Sequence, residues 1–520
     1  MVKEITLSLT PEQASSEEKY LPLAVSQLGI SREQVSFCQL RGRSIDARRG
    51  RVRINLKLDI YIDELPKPDD SVQVEYKNVE HCQPIVIVGA GPGGLFAALK
   101  FLQLGYKPII IERGKDVHTR RFDIAAIHRN QGVNPDSNYG FGEGGAGTYS
   151  DGKLFTRSKK RGDISEVLRI LSANGGNPDI LVDAHPHIGT DKLPGIIENI
   201  RKTIIEYGGE VHFETGFKEL VIKDDKVLGI RTTAGDVINS KAVILATGHS
   251  ARDVYFSLHS QGVILEPKSF AMGVRIEHPQ TLIDSIQYSC RQRGPYLPAA
   301  AYSLVQQSGG RGVYSFCMCP GGIIVPASTA PDEMVVNGMS PSNRNSQWAN
   351  SAIVVELRLE DIPQVSDPIM AGLNFQMQYE KLSFANGGQG QIAPAQRVVD
   401  FVNSKVSGSL PRTSFTPGVV SSPLHQWIPD FIRQRLQDGL QQFGRKMHGF
   451  YTNEALLIGV ESRTSSPIRI PRDKDTFQHI QVSGLFPCGE GAGYAGGIVS
   501  SALDGQRCAE KVDLFIKNNV

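Results

Sequence analysis

The residues best placed to do chemistry in this chain are glycines. Gly89, Gly91 and Gly94 stand in the pattern G-x-G-x-x-G directly after the apolar run Val86–Val88. Glu112 follows about 20 residues on, the spacing of a dinucleotide-binding unit. The first glycine permits the tight turn, the second lets the backbone approach a pyrophosphate, and the third lets a helix pack closely on its sheet. A pyrophosphate there sits at the positive end of the helix dipole. An acid at Glu112 accepts hydrogen bonds from ribose hydroxyls and disfavours a 2′-phosphate, so an unphosphorylated adenosine is expected. Gly142–Gly147 and Gly491–Gly496 share the spacing, but the first lacks a preceding buried strand. The second is followed by too little chain for a full β-α-β unit.

Two further clusters gain meaning beside that unit. Gly484–Pro487 reads as a short strand that runs on through Cys488 to Gly489 and Glu490, then into a glycine loop and a helix over Ile498–Val512. With a dinucleotide site already in place, this suits FAD. The acid would bind the ribityl chain, and the helix amides would face the flavin edge where negative charge develops on reduction. The alternative is a helix capped by glycines for packing alone. Ala246-Thr247-Gly248, after the apolar strand Ala242–Leu245, marks where such a chain passes the cofactor and leaves the first domain.

Groups for catalysis are sparser. His187 precedes a helix whose N-cap is expected at Thr190 or Asp191, and it is a candidate proton donor or a structural histidine. Arg463 and Arg469, in a Ser/Thr/Pro-rich stretch, suit a carboxylate or phosphate, with structural ion pairs as the other reading. Arg275 is a third such candidate. Cys317-Met318-Cys319 invites a redox reading, yet residues two apart close a strained ring and C-x-C alone is a poor metal site. Small buried side chains near the flavin are the alternative. Six arginines between Arg41 and Arg53 could contact phosphates, or form the solvated face of a hairpin.

The elements that must position these residues follow from periodicity. Lys3–Leu9, Val35–Leu40 and Arg51–Ile62 read as strands around a helix at Glu17–Leu28 closed by Gly29, with a linker over Leu65–Glu80. Ile85–Val88, the helix Leu95–Leu104 and Pro108–Ile111 make a β-α-β unit. A helix at Ile196–Tyr207 and strands at Glu210–Phe213, Phe217–Lys223 and Lys226–Thr232 follow. Between about Gly262 and Gly459, strands with many Pro, Ser, Asn and Gly breaks and few clean helices indicate an inserted domain.

Length and composition set the bounds. At 520 residues the chain exceeds a single core. It is 40% hydrophobic and 21% charged, with a net charge of +2 that favours neither a nucleic-acid binder nor an acidic protein. No apolar run approaches the roughly 20 residues of a membrane span, and the N-terminus has no signal-peptide core. Seven scattered cysteines argue against a disulfide framework, so a reduced cytoplasmic protein is expected.

Arg43–Arg48, Gly142–Leu154, His187–Leu193, Phe316–Gly322, Glu461–Arg469 and the C-terminal glycine run together resemble the uncharacterised FAD-dependent dehydrogenases, often labelled NAD(FAD)-utilising dehydrogenases. The resemblance spans nearly the whole chain. It implies an α/β fold: a discontinuous, Rossmann-like FAD domain (81–261 and 460–520), an inserted β-rich α+β domain (262–459) and a small N-terminal α/β module (1–75). The expected FAD contacts are Gly89, Gly91, Pro92, Gly93, Gly94, Glu112, Arg113, Gly145, Ala146, Thr247, Gly248, Gly489, Glu490, Gly497 and Ile498, with no metal. The function expected is an FAD-dependent oxidoreductase acting on a small, anionic molecule, with NAD(P)H as a transient reductant or the substrate itself oxidised. The alternatives are a nucleic-acid-associated flavoprotein using the basic hairpin, and a flavin-binding protein without turnover.

Overall fold

The strand Pro84–Val88 is apolar from Ile85 onward, as a parallel strand covered on both faces must be. The computed structural model sets it at the centre of a sheet and describes residues 1–48, 50–66, 74–156, 162–363 and 365–519. Five parallel strands run in the order Leu485–Pro487, Val243–Leu245, Pro84–Val88, Lys107–Ile111 and Glu210–His212. Because all point the same way, their carboxyl ends share one edge. Gly89, Glu112, Ala246 and Cys488 are the residues that leave it, and such an edge is where open α/β sheets bind ligands.

Alternate residues of each strand face opposite layers. Ile85, Ile87, Ile110, Ile244 and Phe486 pack under the helices Pro92–Leu104, Leu193–Glu206 and Ile498–Asn518. Val86, Val88, Ile111, Val243 and Leu485 pack under the antiparallel strands Phe217–Lys223, Lys226–Thr232 and Val237–Asn239 and the helix Arg252–Ser260. Full burial of one such side chain is worth roughly 1.5–3 kcal/mol, so neither face can be left uncovered. The helices Pro92–Leu104 and Ile498–Asn518 cross at two glycines: a Cβ on Gly505 would lie 2.0 Å from the carbonyl oxygen of Gly93.

Between the two portions of that sheet the chain builds a second one. Its seven strands run Val305–Ser308, Arg311–Cys319, Trp348–Leu357, Phe270–Pro279, Leu456–Glu461, Ala393–Arg397 and Val419–Ser421, antiparallel except for the last pair. The expectation of few clean helices here needs correction, because Ala371–Ala385 and Asp430–Lys446 are both long. The second buries Ile432, Leu436, Leu440 and Phe443 at helical spacing, a stripe thin enough to be hidden among Arg, Gln and Asp.

The N-terminal strands Val2–Leu9, Arg53–Ile62 and Val35–Asp46 form an antiparallel sheet in that order under the helix Glu17–Leu28, which Gly29 closes in the left-handed region. The second strand of the chain runs past the expected Leu40 to Asp46, because the pairing with Arg53–Ile62 continues to Asp46↔Arg53. Its Arg43 docks on the main body. The Arg43 N–H donates to the carbonyl of Val182 at 2.9 Å, and its guanidinium pairs with Asp183 at 2.7 Å and Asp179 at 3.0 Å. Of the Leu65–Glu80 linker, residues 67–73 lie outside the described residues, as does Arg49 of the arginine run. Among the described residues no helix is long and apolar enough to cross a membrane.

Candidate functional site

A cavity of about 410 Å³ opens at the carboxyl ends of the parallel strands. Every expected cofactor contact lines it except Gly94. Gly94 serves the packing instead: a Cβ there would sit 1.9 Å from the carbonyl oxygen of Gly89, so only glycine lets the helix lie this close to the turn. Gly91 is the opposite case, since a Cβ would point into open space beside the cavity. Gly91 is the N-cap of Pro92–Leu104, and Gly497 the N-cap of Ile498–Asn518. Gly497 holds φ +152° and ψ 172°, a conformation essentially reserved for glycine. Two helix N-termini therefore aim their unpaired amides and positive dipole ends at one cleft.

Glu112 is buried and tied by backbone donors. It accepts from the amides of Ala90 at 3.0 Å, Gly114 at 3.0 Å and Gly142 at 2.9 Å. One carboxylate thus joins the glycine turn, the end of its own strand and the Gly142 loop, a role beyond the ribose contact expected of it. Arg113 lies over the Phe141 ring at 4.5 Å and pairs with Asp253 at 2.9 Å. Glu490 faces the cavity with His249 Nδ1 3.4 Å away, while His249 Nε2 lies 3.1 Å from the carbonyl oxygen of Arg463.

The structure separates the two arginines expected to anchor a substrate. Arg463 lines the cavity but is held by acids of the inserted region, Glu333 at 3.0 Å and Glu380 at 2.8 Å. Arg252 joins both acids, which makes a buried group of two cations and two carboxylates. Burial would raise the Glu380 carboxyl, but Arg463 and Arg252 outweigh it and hold it far below the usual range. Arg469 stays out of the lining, half-exposed, 3.7 Å from Glu266 and near the Tyr494 ring. Neither is a free cation in the cleft.

His187 also stands behind the wall. Its Nε2 is 3.0 Å from the carbonyl oxygen of Ser342, and burial with Arg344 nearby pulls its pKa down. The expected N-cap is corrected as well. Asp191 accepts from the Ser342 amide at 2.6 Å and its hydroxyl at 2.8 Å, so the helix Leu193–Glu206 starts from Lys192. Arg275 is fully buried and holds the wall together, pairing with Glu461 at 2.9 Å and donating to the carbonyl oxygen of Cys317 at 2.8 Å.

Sequence reasoning missed part of the wall that faces the cofactor cleft. Asp151 and Lys153 line it from one side and Asn337 from the inserted region, with Glu461 at the end of the strand Leu456–Glu461. Cys317 lines it too, near the flavin site as its small side chain allowed. Arg344 pairs with Asp151 at 2.7 Å, and burial pushes Glu461 up to about 7 against the pull of Arg275. Gly142–Leu154 and Phe316–Gly322 were the signals available, since both had stood out as motifs. Among the described residues the one cluster with metal-ligand chemistry is Cys488, Asp504 and Cys508. There Arg472 already occupies the carboxylate, at 2.6 Å, and the Asp504 Oδ2 accepts from the Gly489 amide.

Glycine turns, paired helix termini and a parallel-sheet edge define a dinucleotide-binding flavoprotein of the Rossmann type. Residues 83–263 match the pyridine nucleotide-disulphide oxidoreductase family, residues 269–464 the family of FAD-dependent protein, C-terminal domain-like, and residues 1–61 a domain of unknown function. An uncharacterized protein of Clostridium beijerinckii is 39% identical over 531 residues, covering 98% of each chain. The chain belongs, with that relative, to a family of FAD-dependent proteins of oxidoreductase type. FAD is its cofactor. Among solved structures, a geranylgeranyl bacteriochlorophyll reductase-like protein of Thermoplasma acidophilum is similar at 13% identity and a TM-score of 0.35, over 84% of this chain and 80% of its own. E. coli quinol fumarate reductase FrdA gives 13% and 0.36, over 84% and 72%.

Proposed function

We propose that FAD lies along this cleft, with its pyrophosphate at Gly91–Gly93 and its flavin toward Gly497 and Ile498. On this reading the protein reduces a small molecule with electrons from transiently bound NAD(P)H. The observation that carries the reading is the convergence of two helix N-termini on one cavity where Gly91 and Gly497 leave space for a ligand. Bound FAD supplies two-electron hydride chemistry, which leaves the protein to bind, orient and exclude water. Glu490 accepts from the ribityl hydroxyls, and the Ile498 helix terminus stabilises negative charge at the flavin edge. The second reactant enters between Lys153 and the inserted wall around Phe316.

The anionic substrate loses support from Arg463 and Arg469, one neutralised by acids and the other outside the lining. Lys153 does not replace them, with Asp151 3.5 Å away. Shape and hydrogen bonding are the better account of how the reactant is oriented. The nucleic-acid alternative also weakens, because Arg41, Arg43 and Arg48 each pair with an aspartate. Anaerobic addition of NADH or NADPH to the purified protein tests the proposal. Bleaching of the flavin absorbance by either is expected; FAD firmly bound and unchanged by both would sink it.

A further inference from the structure

In a regular strand, residues two apart are separated by about 6.6 Å, whereas a disulfide needs Cβ atoms about 3.5–4.5 Å apart. The strand Arg311–Cys319 departs from that geometry at one place. Phe316 pairs with Ala352 and Cys319 with Asn350, so one extra residue is accommodated opposite Trp348–Leu357. Cys317 carries the distortion at φ +46°, a backbone region that non-glycine residues seldom adopt. The bulge gathers both thiols around one cation: Lys153 Nζ lies 3.8 Å from Cys317 Sγ and 3.8 Å from Cys319 Sγ. Arg275 adds a second cation, with Nη2 3.7 Å from Cys319 Sγ. Cys317 lines the cavity, and Cys319 is buried behind it.

We propose that Cys317 and Cys319 are a thiol–disulfide exchange pair that opens on the cavity and reacts with small disulfides. Cys317 is the attacking member and Cys319 the resolving one. The Cys319 thiol, Lys153 and Arg275 hold Cys317 well below the ordinary thiol range against the effect of burial, while Cys319 is held above it. In the first step the Cys317 thiolate attacks a sulfur of R–S–S–R, forming a Cys317–S–S–R bond and expelling R–S⁻. In the second the Cys319 sulfur attacks Cys317 Sγ, loses its proton and expels the second R–S⁻. The sum is one thiolate, one thiol and R–S–S–R giving the Cys317–Cys319 disulfide, R–S⁻ and R–SH. The two electrons leave the protein thiols for the small disulfide, and no flavin step is involved. The inference is thus independent of the proposed function, and each can fail without the other.

The test uses the full, FAD-containing chain, iodoacetamide, hydroxyethyl disulfide and peptide mass mapping. Alkylation of Cys317 should reach its half-point below the ~8.5 of a free thiol, and Lys153→Gln should move that point up. Hydroxyethyl disulfide should leave wild type with a linked Cys317–Cys319 peptide and no adduct. Cys319→Ser should stop at a hydroxyethylthio adduct on Cys317, and Cys317→Ser should leave Cys319 unmodified. The wild-type measurements stand even if a variant fails to fold. A Cys317 half-point at or above that of a free thiol, or wild type treated with hydroxyethyl disulfide yielding no linked peptide, would overturn the proposal.

Discussion

Arg463 meets Glu380 through two nitrogens, Nε at 3.1 Å and Nη2 at 2.8 Å, while Glu380 is fully buried. The pair joins the return segment after Leu456–Glu461 to the helix Ala371–Ala385, and Arg252 ties both to the first FAD segment. The guanidinium that faces the cofactor cleft is therefore a structural joint between the cofactor body and the inserted sheet.

Glu380→Gln leaves two buried arginines with one carboxylate, and breaking such a group typically costs about 3–5 kcal/mol. Denaturant melts should show a loss of that order. The pH dependence has a definite sign. A carboxyl depressed in the folded state stabilises fully above its unfolded pKa of about 4.3 and loses that contribution as pH falls toward the folded value. Wild-type stability should thus fall more steeply than that of the variant below about pH 4.3. Equal slopes would count against the charged assignment.

Gly91→Val and Gly94→Ala should fail differently. Nothing lies within 4 Å of a Cβ at Gly91, so the valine variant should fold yet retain less than about a tenth of its FAD, with its side chain in the pyrophosphate space. The alanine at Gly94 would collide with the Gly89 carbonyl and should lower the melting temperature itself. Circular dichroism and released-flavin absorbance separate the outcomes. A Gly91→Val protein with full FAD would show the cofactor to lie elsewhere.

On the proposed placement of FAD, Glu490→Ala removes an acceptor for the ribityl hydroxyls, each such charged hydrogen bond being worth about 1.5–3 kcal/mol. FAD should bind roughly ten- to a hundredfold more weakly, read by fluorescence quenching during reconstitution of the apoprotein. His249, 3.4 Å away, loses its acid in the same variant. His249→Asn should have a smaller effect if Glu490 is the direct contact.

A chain beginning at Glu80 should still take up FAD, since every cofactor motif lies beyond it. The Arg43 pairs to Asp179 and Asp183 and the main-chain bonds to Val182 and Ala184 would go, so its melting temperature should fall. Soluble protein unable to bind added FAD would show that the N-terminal module helps to shape the cleft.

What could be read from the chain was mostly local. Gly89 to Glu112 form a contiguous unit whose strand, turn and helix are set by neighbouring residues, and the edge of the parallel sheet carries them as expected. The partners of Arg463 were invisible for the opposite reason: Glu333 and Glu380 reach it only through the folded inserted sheet. Cys317 illustrates a third case. Its motif was noticed, but the strained ring closed by residues two apart argued against a thiol pair, and the bulge opposite Ala352 and Asn350 is visible only in the folded sheet.

The crossing of Gly93 over Gly505 has a consequence for how the protein matures. The two helices that flank the cleft belong to segments separated by the whole inserted region, and they touch where Gly505 has no room for a side chain against the Gly93 carbonyl. A chain with only one of them in place has half a cradle, with a single positive terminus and no opposing wall. On the proposed placement FAD acts as a clasp that closes only on the completed loop of chain, favouring the closed state by mass action. Cofactor occupancy in a fresh preparation is in that sense a lower bound on the molecules whose distant segments have found each other.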